Sequence, residues 1–345
     1  MLLTDDAREG RTGTRTERPR LGFLGLGWIG RNRMEAVARS GLCEIVALAD
    51  PSPDAVQAAA ASAPDAARGS GLDAVLAARP DGVVIATPSA GHAAETIACL
   101  EAGAAVFCQK PLGRNRDEAA AAVAAARRAD RLLGVDLCYR RTAAMTAVRD
   151  SVASGDLGTI FAADLVFHNA YGPDKPWFYD PAQSGGGCVM DLGVHLVDAA
   201  MWVLDFPQVD RVRSALFQQG RRLPAGRGAV EDYAVATLEL TGGAAVRLTC
   251  SWNLHAGRDA EISAAFHGTE GGAVFSNVNG SFYDFTAAHN ARTQQHALAA
   301  PPDDWGGRTV LDWAGRLARN GGAFDPAADR LISLAEVIDR IYGGR

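Results

Sequence analysis

Four short stretches carry the residue types best suited to chemistry. Asp191 and His195 stand four apart in Gly187-Cys188-Val189-Met190-Asp191-Leu192-Gly193-Val194-His195. On a helix they share a face, and Asp198 falls on it too. Histidine is the usual general base for an alcohol proton near neutral pH. Asp191 could bind substrate hydroxyls or raise the His195 pKa; an ordinary surface pair is the plainer alternative. Gly185, Gly186 and Gly187 ahead of this helix suggest ligand access and a free helix N-terminus. Lys110 follows the apolar run Ala104–Cys108 and precedes Pro111. Its ammonium can hold or polarise a hydroxyl or carbonyl. Of 34 basic residues only Lys110 and Lys175 are lysine. Arginine would serve at a plain surface position, so Lys110 points to a need for a compact, titratable cation.

A third stretch binds phosphate. Gly25-Leu26-Gly27-Trp28-Ile29-Gly30 follows the apolar run Leu21–Leu24 and opens a helix, and Asp50 ends the next apolar run, 20 residues past Gly30. That is the context of a dinucleotide site. Gly25 makes the tight turn, Gly27 lets the pyrophosphate approach, and Gly30 lets helix and strand pack. The N–H groups around Trp28 and Ile29 hold the phosphates. Asp50 accepts from the adenosine ribose hydroxyls and would repel a 2′-phosphate, which favours NAD over NADP. Thr87, Pro88 and His92 follow the run Val83-Val84-Ile85, and Gln109 precedes Lys110. Strand carboxyl ends place all of them at the cofactor cleft, although His92 suits plain capping or packing equally well. The fourth stretch, Trp177-Phe178-Tyr179 with Lys175, is either a sugar-stacking lip or a packed loop.

The elements that must position these groups change character along the chain. Up to about residue 150, apolar strands alternate with helices: strands 21–24, 44–50, 82–87, 104–108 and 132–137, helices 33–38, 54–61, 92–102 and 117–129. This predicts α/β architecture with a parallel sheet covered on both faces. Beyond it, strands at 161–169, 209–218, 233–240, 244–251 and 260–267 predict an α+β unit with a largely antiparallel sheet. Helices are expected at 189–204, 307–319 and 326–342, and loops at 219–229 and 286–304.

Composition narrows the function classes. A net charge of −6 speaks against nucleic acid as a partner. No run of about 18 apolar residues escapes charges and glycine breaks, so no membrane span is expected. Six cysteines without a CxxC pair suggest a reduced, cytoplasmic protein. No HExxH motif or Cys/His cluster supports a metal. Residues 1–20 are expected to be a disordered arm.

These constellations, in this order, resemble the Gfo/Idh/MocA family of NAD(P)-dependent oxidoreductases. Ala86-Thr87-Pro88 to His92, Gln109-Lys110-Pro111, Asp191-x-Gly193-x-His195 and Gly268-Thr269-Glu270-Gly271 carry the resemblance. It implies a Rossmann domain over 21–145 and a substrate-binding and oligomerisation domain over 146–345, with the last helices returning to the first. It also implies a homodimer or homotetramer, a sugar, inositol or similar polyol as substrate, and Lys110, Asp191 and His195 as the catalytic set. By the resemblance Arg140 joins these three as a substrate contact; Trp177 and Tyr179 are added from their residue types alone. Gln109 stands where the family usually has Glu, and Ser89 where Asn is common. Two other readings stay open: NAD-assisted glycoside cleavage, with Tyr139, Tyr179 or His92 as extra acid–base groups, and non-catalytic nucleotide sensing.

Overall fold

The computed structural model describes residues 18–343. The arm expected for residues 1–20 lies outside the described residues up to residue 17, and the first strand already begins at Arg20. Six strands form the first sheet: β1 (Arg20–Leu24), β2 (Glu44–Ala49), β3 (Ala67–Gly69), β4 (Gly82–Ile85), β5 (Ala105–Cys108) and β6 (Leu133–Val135). They run parallel in the order β3-β2-β1-β4-β5-β6. β4 and β5 are buried at every position, as strands covered on both faces must be. The order reverses between β1 and β4, and there the carboxyl ends leave a crevice.

The covering helices are α1 (Trp28–Ser40), α2 (Pro53–Ala60), α3 (Leu72–Ala77), α4 (Ser89–Glu101) and α5 (Arg116–Ala129). α1 and α4 start earlier than the apolar period suggests, because Gly27 and Pro88 set their first turns. α5 carries its own signals: Asn115 caps it by accepting from the Glu118 N–H at 2.9 Å, acids occupy the first turn and arginines the last.

After α6 (Ala143–Ala153) comes a nine-stranded sheet: β7 (Ile160–Asn169), β8 (Val209–Gln218), β9 (Arg221–Arg222), β10 (Tyr233–Leu240), β11 (Ala245–Ser251), β12 (Ala260–Gly268), β13 (Gly272–Asn277), β14 (Phe285–Ala291) and β15 (Gln294–Ala299). All neighbours are antiparallel except β7 and β11. The short helix α7 (Pro181–Ser184) and α8 (Val194–Val203) follow β7 in the chain, and α9 (Arg308–Asn320) and α10 (Asp329–Ile341) close it. One sheet face packs on α6, α8 and α10; the other leaves Phe161 and Val235 exposed.

Three expectations need correction. The loop expected over 286–304 is largely the hairpin β14–β15; Gln, His and Ala have weak strand preference, and β15 is a mostly exposed edge strand that pairs with β14 alone. β13 was missed as well. The helix expected at 189–204 begins as a π turn over Val189–Gly193. Pro181–Val203 is also long and apolar enough to cross a membrane by composition, but 83% of its window is buried inside the protein, as in a core helix.

The last two helices return to the first domain. Trp313 of α9 lies 5.7 Å from Phe107 of β5. A Cβ on Gly82 or Gly134 would meet the Trp313 ring at 2.7 or 2.8 Å, so both glycines are shaped for this indole. Trp313→Ala should lower the unfolding free energy by about 3–5 kcal/mol, read as the urea midpoint of circular dichroism.

Candidate active site

The cleft lies at the carboxyl ends of the first sheet, facing α8 and the segment 174–178 of the second domain. Its phosphate end is the start of α1. Gly25 has φ +86°, and a Cβ there would meet the Ala86 carbonyl at 2.5 Å. A Cβ on Gly30 would collide with the Gly25 oxygen. On Gly27 it would meet nothing within 4 Å among the described residues, so the backbone there faces open space. The first turn of α1 has no side-chain cap and no acid. Its N–H groups and positive dipole end are therefore left for an anion. Trp28, exposed, and Ile29 line the cleft beside them. Asp50 sits at the end of β2, where Oδ2 accepts from the Leu26 N–H at 2.7 Å and Oδ1 from the Ser52 N–H at 2.8 Å. The backbone thus aims this carboxylate at the glycine turn. The residues present fit a dinucleotide.

At the other end, Lys110 joins the two domains. Its Nζ donates to the Asp191 carboxylate at 2.7 Å and to the Asp191 carbonyl at 2.8 Å. The Trp252 indole N–H donates to the second carboxylate oxygen at 3.1 Å. Asp191 is thus aimed by a cation from one domain and an indole from the other. His195 lines the same cleft and sits edge-on to the Tyr139 ring, 5.1 Å between centroids. Its Nδ1 is buried with no hydrogen-bond partner among the described residues. Burial first, then the charges of Lys110 and Arg33, hold its pKa well below the ordinary histidine value. The ring is therefore neutral near pH 7 and able to accept a proton. The role of raising the His195 pKa is not what Asp191 performs: its carboxylate is bound to Lys110 and Trp252, and the histidine's pKa is lowered by burial, Lys110 and Arg33.

Sequence reasoning missed two cleft residues, Arg33 and Asp136. Asp136 is an acid at the end of an apolar strand, a signal that was legible but read only as strand. Reasoning also missed Glu231, fully buried, whose carboxylate accepts from the Gly187 N–H at 3.0 Å and the Val189 N–H at 2.9 Å. The helix N-terminus ahead of Asp191 is therefore filled by a side chain, not free. The glycine triplet serves close packing: a Cβ on Gly186 would strike the Tyr342 hydroxyl, and one on Gly187 the Glu231 backbone.

Residues 20–137 match the model described as oxidoreductase family, NAD-binding Rossmann fold, and residues 145–274 the GFO/IDH/MocA C-terminal domain. The chain belongs to the Gfo/Idh/MocA family. It is similar to D-glucoside 3-dehydrogenase of Escherichia coli (strain K12), 28% identical over 233 residues, 63% of this chain and 66% of the relative. It is also similar to 1,5-anhydro-D-fructose reductase of Ensifer adhaerens, 31% identical over 200 residues, 57% of each chain. These alignments span less than two thirds of the relatives' own length. The fold matches that of levoglucosan dehydrogenase solved with NADH and L-sorbose, with TM-score 0.78 at 23% identity, over 94% of this chain and 96% of that one.

Of the site residues expected from the sequence, Thr87, Pro88, Gln109, Lys110, Trp177, Asp191 and His195 line this one cleft. His92 lines it too, but both ring nitrogens lie against backbone carbonyls, Nδ1 to Pro111 at 2.6 Å and Nε2 to Thr87 at 2.7 Å. It ties two cleft turns together and offers no nitrogen to a ligand. Tyr179 stands outside the wall with its hydroxyl donating to the Pro173 carbonyl at 3.0 Å. Arg140 is also outside: its guanidinium grips buried Asp198, with Nε donating at 2.6 Å, and lies over the Phe206 ring. Asp198 was expected on the Asp191 face, but it faces this arginine instead. Tyr139 is buried among aromatic rings, which drives its pKa well up. None of Tyr139, Tyr179 and His92 therefore offers a ready acid–base group. Arg140→Met should cost about 3–5 kcal/mol of folding stability, because it leaves a buried carboxylate unpaired. Substrate KM, measured on the folded fraction, should change less than about twofold, a difference under 0.5 kcal/mol.

Proposed function

We propose that the protein is an NAD-dependent oxidoreductase that moves hydride between nicotinamide and a secondary alcohol or ketone of a sugar, inositol or similar polyol. The observation that carries this reading is the convergence of Lys110, Asp191 and neutral His195 in one cleft with an uncapped glycine turn. Bound NAD supplies the hydride acceptor. Thr87, Pro88 and Gln109 would hold its nicotinamide end and the start of α1 its phosphates. Substrate would lie between that edge and α8, with Trp177 as an apolar wall.

The chain's own groups divide the remaining work. His195 takes the hydroxyl proton as the carbon loses hydride. Lys110, held by Asp191, donates to the same oxygen and stabilises its developing charge with a dipole already in place. Reduction runs these steps backwards. Asp50 favours NAD, because its charge opposes a 2′-phosphate. The sugar-directed names of the similar dehydrogenase and reductase support the substrate class. The exposed apolar positions on the open face of the second sheet support a homodimer or homotetramer joined there.

A panel of polyols and keto-sugars with NAD and NADP, read as nicotinamide absorbance, should show turnover with NAD. His195→Ala and Lys110→Met should each lose about 10²-fold or more in kcat while still quenching their tryptophan fluorescence with NADH. Near-full turnover in either variant would sink the mechanism. Because the His195 pKa is depressed, the neutral base persists on the acid side. The acid limb of kcat/KM for oxidation should therefore fall below 6.5, the ordinary histidine value.

A further inference from the structure

The inner wall of the cleft holds a charge arrangement that the mechanism above does not use. β5 and β6 pair in register with Cys108 opposite Val135. The next residues, Gln109 and Asp136, therefore stand side by side at the carboxyl ends. The Asp136 Oδ2 accepts from the Gln109 Nε2 at 2.5 Å and from the Arg33 Nε at 2.6 Å. Arg33 reaches it from α1 and also donates to the Gly306 carbonyl, so its guanidinium is held from two sides. Asp136 is 1% exposed, and its Oδ1 is buried with no hydrogen-bond partner among the described residues. All three side chains line the cleft.

An amide has a donor end and an acceptor end, and against a carboxylate only the donor end is tolerated. Asp136 therefore decides which way Gln109 points: Nε2 goes to Asp136, and the carbonyl oxygen is the end left for the cleft. Gln109 then offers what a glutamate would offer a ribose hydroxyl, an acceptor, but without charge. The negative charge sits one strand over, where Arg33 compensates it.

We propose that Asp136 is a positioning residue for the cofactor's nicotinamide ribose. It locks Gln109 as an acceptor and, with Arg33, carries the carboxylate that position 109 lacks. This rests on the NAD reading. It predicts that residues 109 and 136 are coupled: either one may bear the carboxylate, but not both and not neither. Two carboxylates behind a single arginine repel, and one must take up a proton. With neither, buried Arg33 loses its counter-charge.

The test compares the full-length wild type with Gln109→Glu, Asp136→Asn and the exchange Gln109→Glu/Asp136→Asn. The readouts are NADH dissociation constants by fluorescence and thermal midpoints by circular dichroism. Each single variant should bind NADH about tenfold more weakly, and the exchange should return to within about threefold of wild type. If the two single losses simply multiply in the exchange, or if Asp136→Asn leaves NADH affinity unchanged, the proposal is overturned. A purely structural role would lower the thermal midpoint without restoring affinity in the exchange, which also overturns it. Should Asp136→Asn fail to fold, Gln109→Glu against the exchange decides, because only coupling restores affinity there. Wild type that binds neither NADH nor NADPH would remove the cofactor reading itself. Wild type that binds, with uncoupled variants, removes only the role of Asp136.

Discussion

The Lys110–Asp191 pair is the interaction on which the site depends. The two residues are 81 apart in the chain and come from different domains. Both side chains are 17% exposed, so the pair is neither fully solvated nor fully desolvated. In that setting the Coulomb gain roughly offsets the cost of dehydration, and the net contribution to stability is small. Its value is geometric. It brings the end of the first sheet and the turn ahead of α8 to one point, and it fixes an ammonium in the cleft that His195 also lines. A second contact from Trp252 removes the remaining freedom of the carboxylate.

Of the helix N-termini that line this cleft, the chain treats two oppositely. At α1 nothing caps the first turn, and Gly27 faces open space. Ahead of Asp191 the orphan N–H groups are taken by the buried Glu231, which Tyr342 also contacts through its hydroxyl at 2.7 Å. Orphan amides need partners. A partner built into the protein makes a rigid scaffold, and a missing one makes an anion site. The π turn that Glu231 caps widens the helix where it carries Asp191, next to Trp252 and Lys110.

Much of this was legible in the residues. Gly25 and Gly30 each have the steric reason that their spacing implied, Gly27 faces open space, and Lys110 stands at a strand end as the apolar run before it implied. Apolar runs marked the strands of the first domain, and further strands were visible in the second. What failed was of another kind. Beyond Phe285 and Thr286, β14 and β15 lack the β-branched and aromatic side chains that mark strands, and only pairing makes them so. Arg140 was expected as a ligand contact from the resemblance and Tyr179 from its type, but both have partners within the chain. Asp198 was assigned to the wrong face because a regular 3.6-residue period does not survive a π turn.

Local order and residue types therefore belong to the sequence by itself: the glycine turn, the parallel strand–helix alternation, the histidine, the lysine and the carboxylate near it. These follow from steric limits and periodicity over a few residues. The tertiary structure alone decided how polar groups far apart in the chain satisfy one another. Arg33 with Asp136, Asp136 with Gln109, Arg140 with Asp198 and Glu231 with the helix start are all such pairs. A buried charge must find a counter-charge or donor wherever folding brings one. That partner is set by strand register and helix packing, which no local pattern encodes.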